Sequence, residues 1–189
     1  MGNSPNKRYF KAIKRNLFEI AHALLERKAL ISIEKYNKKH GIYGENFFSI
    51  SYRALFNDMV AHSIKVLDED RESATFWYIF RADMTKLKKL SSYSEEKMKF
   101  LRKLASRFKI IRDKTHFHID KKGVLGPAFI WKNAGIKGRE LGGALRYLWD
   151  LLNELHGVVF KDNFPHQIDF YDGKDVLKIL MLSRRKNLV

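Results

Sequence analysis

Residues 98–120 read MKFLRKLASRFKIIRDKTHFHID, and the first half of this stretch decides the fold class. Met98, Leu101, Ala105, Phe108, Arg112 and Thr115 recur at steps of three and four, as one face of an α-helix requires. Lys97, Lys99, Arg102, Lys103, Arg107 and Lys109 take the remaining surface. Just upstream, Ser92-Tyr93-Ser94-Glu95 has the form of a capping box. The spacing therefore predicts a helix that starts there and carries Arg112 in the middle of its inward stripe.

The same periodicity extends in both directions. Phe10, Ile13, Leu17, Ile20, Ala21, Leu24 and Ile31 predict a first helix from about Lys7 to Tyr36, stopped by Asn37-Lys38-Lys39-His40-Gly41. Tyr52, Leu55, Met59 and Val66 predict a second from about Phe47 to Leu67. The acidic turn Asp68–Ser73 then leads into Phe76, Ile79, Phe80, Asp83, Leu87 and Leu90, with helix-start chemistry from Glu72 and Ser73. The second and third helices are expected to form an antiparallel pair. Phe76, Trp77, Tyr78 and Phe80 could stack bases, but inside a periodic helix such aromatics belong to the core. Gly123, Gly126, Pro127, Gly135 and Gly138 punctuate a loop, after which Leu141, Leu145, Leu148, Leu152, Leu155 and Val159 predict a helix over about 139–160, ended by Asn163-Phe164-Pro165. Ile168-Asp169-Phe170-Tyr171 suggests a short extended piece, and Lys174 to Arg185 a last helix. The expectation is an all-α fold: one domain over residues 1–189, a bundle of four to five main helices over about 7–160, and a small C-terminal appendage over 161–189.

Composition narrows the function. No apolar run approaches the roughly 20 residues of a membrane span, and the absence of cysteine excludes disulfides, thiolate metal sites and cysteine nucleophiles. The first residues lack the apolar core of a signal peptide, and Asn6 stands where an acylation motif needs Ser or Thr, so the expected address is cytoplasmic. With 37 Lys and Arg against 21 Asp and Glu, the net charge is +16, which favours a polyanionic partner, nucleic acid first.

Against that background the end of the opening stretch gathers Arg112, Asp113, Lys114, His116, His118 and Asp120 beside apolar neighbours. Guanidinium binds phosphate through two parallel hydrogen bonds, and imidazole titrates near neutrality, so this set suits phosphodiester chemistry without a metal. Asp113 is placed to orient an imidazole and Lys114 to contact phosphate. On an unbroken helix His116 lies about 40° round from Arg112 and His118 about 120°. On an extended strand, His116, His118 and Asp120 would instead share one side and could bind a metal. The helical phase and the following Lys121-Lys122 argue against that, so neither a metal nor another cofactor is expected. Elsewhere His62, one turn after Asp58, reads as a structural, hydrogen-bonded histidine.

The cluster resembles the active motif of the HEPN superfamily, Arg followed a few residues later by His, here Arg112, five residues, then His118. The abortive-infection, AbiU-like branch is more similar still: Arg112-Asp113-Lys114, Thr115-His116, Phe117, then His118-Ile119-Asp120. Phe117 stands where that branch usually has a small residue. The resemblance extends to Ile50–Leu55 and to Lys65-Val66-Leu67-Asp68, where the family has a helix ending in a leucine- or phenylalanine-aspartate turn. It implies an endoribonuclease of phage-defence or toxin–antitoxin type acting on RNA. It further implies a homodimer whose facing motif helices bring Arg112, His118 and Asp113 to one catalytic cleft, with Lys114 and His116 as substrate contacts. A nucleotidyltransferase-like antitoxin is the partner implied for such a toxin. The alternative is a catalytically silent HEPN-like module that binds RNA, a nucleotide or a partner protein.

Overall fold

Ile13, Leu17, Ile20 and Leu24 are buried along one side of a single helix, α1, which the computed structural model places over Pro5–His40. The structure describes residues 5–40, 46–113, 132–162 and 164. Within them follow α2 (Asn46–Leu67), α3 (Phe76–Ala82), α4 (Met84–Leu87), α5 (Glu95–Ile111) and α6 (Gly138–Phe160). No strand occurs among the described residues, so the fold is all-α. None of the described helices is long and apolar enough to cross a membrane. Residues 114–131, which hold the end of the charged motif and most of the loop expected before Gly138, and everything expected beyond Phe164, including the extended piece and the last helix, lie outside the described residues.

α1 is longer than its periodicity predicts at both ends. Proline is tolerated in the first turn, where its missing N–H has no helical partner to lose, so Pro5 begins the helix. Asn37 through His40 continue it.

α2 packs chiefly on α1, and not on α3 as expected. The Tyr52 hydroxyl donates to Glu34 at 2.5 Å, His62 pairs with Glu19, and Lys65 lies 3.4 Å from Glu19. As numbers rise along α2 they fall along α1, so the two are antiparallel. α6 also runs antiparallel to α1: Phe160 meets Phe10 edge-on at 5.4 Å, while the Arg27 Nε donates to the Gly138 carbonyl at 3.2 Å. Leu145, Leu148, Leu151, Leu152 and Leu155 of α6 and Leu101, Leu104, Phe108 and Ile111 of α5 complete one continuous core with α1.

The expected third helix is two short ones. Asp83 leaves helical geometry at φ −147° and ψ 51°, and its carboxylate accepts from the Lys86 N–H at 3.3 Å, capping α4. An aspartate competes with the helix for backbone donors, and apolar spacing does not reveal it. Thr75 stands at the start of α3 in place of Glu72 or Ser73. Phe76, Trp77 and Phe80 are buried, as core residues should be, and the Trp77 indole donates to the Leu67 carbonyl at 2.9 Å.

The start of α5 is also shifted. Ser94, not Ser92, caps it, accepting from the Lys97 N–H at 3.3 Å. Ser92 is taken by Glu154 of α6, whose two carboxylate oxygens accept from the N–H and hydroxyl groups of both Ser91 and Ser92 at 2.6–3.0 Å. The Ser94 N–H donates to the Tyr147 hydroxyl at 3.0 Å. At the other end α6 stops at Lys161, whose φ of 59° is left-handed, before Asn163 and Pro165 are reached.

Burial alone would raise the Glu154 pKa, but the hydrogen bonds from Ser92 and Ser91 outweigh it and hold the carboxyl at about 2, below the ordinary 4.5. A depressed folded-state value stabilises above the unfolded value and is lost as pH falls through the folded one. Glu154→Gln is therefore expected to lower unfolding free energy by roughly 1–3 kcal/mol near neutral pH. In thermal melts that difference should shrink as pH drops from 4.5 towards 2. A penalty independent of pH would assign the effect to shape alone.

Candidate functional site

Phe108 and Ile111 are buried in the last turn of α5, which carries Arg112, the next residue, to the edge of the α2–α5 seam. The Arg112 N–H still bonds to the Lys109 and Phe108 carbonyls. Arg112 and Asp113 then continue in a wider, π-type turn, a local unwinding that re-aims side chains at a helix end.

Two aspartates hold the guanidinium. Nη1 donates to Asp68 Oδ2 at 2.5 Å, and Nε donates to Asp113 Oδ1 at 2.8 Å. Asp68 follows the last residue of α2 and divides its oxygens: Oδ2 takes Arg112, and Oδ1 accepts from the Asp70 N–H at 3.3 Å. The hydrogen bond to Asp113, with that to Asp68, outweighs partial burial and raises the Arg112 pKa further. The guanidinium is thus always cationic, yet its side chain keeps 26% of its exposure.

That exposure faces two cavities. One, of about 600 Å³, is lined by Ile64, Asp68, Glu69, Asp70, Ala105, Ser106, Phe108, Lys109 and Arg112. The other, of about 420 Å³, is lined by Arg15, Asn16, Glu19, Lys65, Thr75 and again Ile64, Asp68 and Arg112. The Arg112–Asp68 pair is the wall between them. Asn16 Oδ1 and Thr75 Oγ1, both on the second cavity, are buried without a hydrogen-bond partner.

Of the residues expected to do chemistry, Arg112 and Asp113 are described and in contact. Lys114, His116 and His118, with Asp120, lie outside the described residues. Asp113, expected to orient an imidazole, contacts the guanidinium.

A second cluster went unnoticed in the sequence. Glu19, 2% exposed, accepts from His62 Nδ1 and pairs with Arg15. Burial works to raise the Glu19 pKa, but the bond from His62 and the nearby Lys65 and Arg15 charges bring it below the ordinary value. His62 Nε2, on the opposite edge of the ring, lies 3.6 Å from Glu26 Oε1 and 3.7 Å from Asp58 Oδ1. His62 is hydrogen-bonded at a helix packing face as expected, but its main partner, Glu19, comes from α1, and Asp58 is the farther contact. Burial first, then Asp58, pushes the Glu26 pKa up to about 8. The available signal was the spacing Glu19, His22, Glu26, which puts all three on one helix face.

No family model, curated protein or solved structure matches the chain.

The Arg112–Asp68 contact is open to a direct check. In a cycle of Asp68→Ala, Arg112→Ala and the double variant, denaturant unfolding should show a coupling of about 1 kcal/mol or more, within the range for contacting residues. Strictly additive single effects would mean that the pair contributes no stability.

Proposed function

We propose that this protein is a metal-independent, HEPN-like endoribonuclease of phage-defence or toxin–antitoxin type, working in the cytoplasm as a homodimer. One observation carries the reading. Asp68, which ends one stretch that resembles the family, and Arg112, which opens the other, meet at 2.5 Å beside a cavity. The net charge of +16 supports an RNA substrate.

In this mechanism His118 takes the proton of a ribose 2′-hydroxyl. The freed oxygen forms a bond to the adjacent phosphorus, the bond from phosphorus to the 5′-oxygen breaks, and that oxygen leaves with a proton. The products are a 2′,3′-cyclic phosphate and a 5′-hydroxyl. Arg112 stabilises the charge of the phosphorane, Asp113 and Asp68 fix its guanidinium, and Lys114 and His116 hold the substrate. General acid–base catalysis is worth roughly 10² to 10⁴ in rate, and a preorganised cationic donor roughly 10² to 10³. A nucleotidyltransferase-like antitoxin is the partner that the resemblance implies for such a toxin.

A second reading is favoured by the same contacts. Arg112 is engaged by two carboxylates, and Glu69 and Asp70 of the acidic turn also line the larger cavity, so a phosphate must compete for the cation. That arrangement suits a catalytically silent module that binds RNA, a nucleotide or a partner protein.

Purified protein incubated with RNA in excess chelator is expected to yield cyclic-phosphate ends, with Arg112→Ala and His118→Ala each reducing the rate at least about 100-fold. Lys114→Ala should mainly weaken binding and lower its salt dependence. Salt-sensitive binding with no cleavage selects the silent module. Undiminished cutting by both variants overturns the assignment of the site.

A further inference from the structure

We propose that His22, Glu26 and His62 form a binding site for a divalent first-row transition ion, with an Asp58 oxygen as the fourth donor and Glu19 as the carboxylate that holds the His62 ring. The proposal is independent of the ribonuclease reading, because none of its ligands belongs to the Arg112 motif.

The ligand atoms of His22, Glu26 and His62 all lie within 4.8 Å of one another. Donor atoms about 2.1 Å from a tetrahedral ion stand about 3.4 Å apart. His62 Nε2 is 3.6 Å from Glu26 Oε1 and 3.7 Å from Asp58 Oδ1, so little movement is needed to close the site.

Glu19 supplies the support that metal-bound histidines use. It accepts from Nδ1, which places a ring proton there and leaves Nε2 on the side of Glu26 and Asp58 as the ligand atom. A carboxylate behind a histidine fixes the tautomer and raises the basicity of the ligating nitrogen. His62 Nε2 stands beside carboxyl oxygens of Glu26 and Asp58, and Glu26 Oε2 is buried with no hydrogen-bond partner.

Helical spacing builds the set. Glu19, His22 and Glu26 succeed one another at steps of three and four on α1, and Asp58 and His62 at a step of four on the antiparallel α2. Facing helices in a bundle core make metal sites in this way. The Asp58 side chain is 62% exposed, which gives the ion an entry path. Two imidazoles with carboxylates select zinc, cobalt or iron over the all-oxygen preference of magnesium and calcium. A bound ion would fasten α1 to α2 less than two turns before Asp68.

The test uses the full chain after chelator treatment. Titration with Zn²⁺ in a calorimeter, and with Co²⁺ read by visible absorption, should show uptake of one equivalent and a higher melting temperature. Glu26→Gln, which keeps the shape of the side chain, and His22→Gln should abolish stoichiometric uptake while the helical circular dichroism is retained. Glu19→Gln should weaken affinity roughly 10- to 100-fold. The double variant His116→Ala/His118→Ala should bind as wild type. No uptake by wild type, unchanged affinity in folded Glu26→Gln, or loss of uptake in the His116/His118 variant would each overturn the proposal.

Discussion

A helix of 36 residues must bury one face along its whole length, and the architecture follows from how α1 does so. At 1.5 Å per residue it is about 54 Å long, whereas α2 and α6 reach only about 33–35 Å. No single partner covers it. α3 and the turn before it meet its first turns, where Asn16 donates to the Ala74 carbonyl at 2.8 Å. α6 spans from Phe10 to Arg27, and α2 covers it from Glu19 to Glu34. Where these coverings overlap, polar residues of α1 become buried and must find partners. Asn16 and Glu19 lie in that overlap, and they line the cavity that reaches Arg112.

The position of Arg112 depends on a second set of contacts, those that seat α5 on α6. Glu154 and Tyr147 grip the turn before α5 and its cap residue, Ser94. Arg107, nearer the other end, donates to the Gly135 carbonyl at 3.0 Å and to Glu140 at 3.4 Å. With α5 fixed at both ends, Arg112 arrives beside the end of α2, and Asp68 meets it. Compared with apolar residues of the same volume, a partly buried ion pair of this kind adds little net stability once desolvation is counted, although losing one partner is costly. Its consequence is geometric: the guanidinium is held in one orientation against two cavities.

The features written in local periodicity could be read before any coordinates. The stripe from Met98 to Phe108 is buried as its spacing requires, and so is the leucine series of α6. Misreadings occurred where a side chain overrode the backbone pattern. Asp83 breaks a helix that Phe76 to Leu90 would support by spacing alone, and Glu154 recruits Ser92 away from the cap it resembles. The site was legible only in part. Arg112 was visible as a charge in an apolar stripe, but Asp68 is 44 residues away, and no rule of spacing joins them. His62 shows the same limit: Asp58 is its neighbour in the helix repeat, but its hydrogen bond goes to Glu19, 43 residues earlier.

The charge distribution separates attraction from selection. Lys97, Lys99, Arg102, Lys103 and Lys109 are exposed along α5, so the excess of positive charge draws a polyanion to the helix that ends at Arg112. Among the described residues close to Arg112 the balance reverses, with Asp68, Glu69, Asp70 and Asp113 against Lys109 and Arg112 itself. A ligand that gains from this site must therefore displace or share a carboxylate, which penalises anions that cannot meet the guanidinium in its fixed orientation. Glu19 extends the same logic inward. Its carboxylate lines the Arg112 cavity and also holds His62, so a change in charge on the far side of that ring alters how strongly Glu19 is held. Any such influence is reciprocal: what binds beside Arg112 must alter the affinity of the His62 cluster by the same factor.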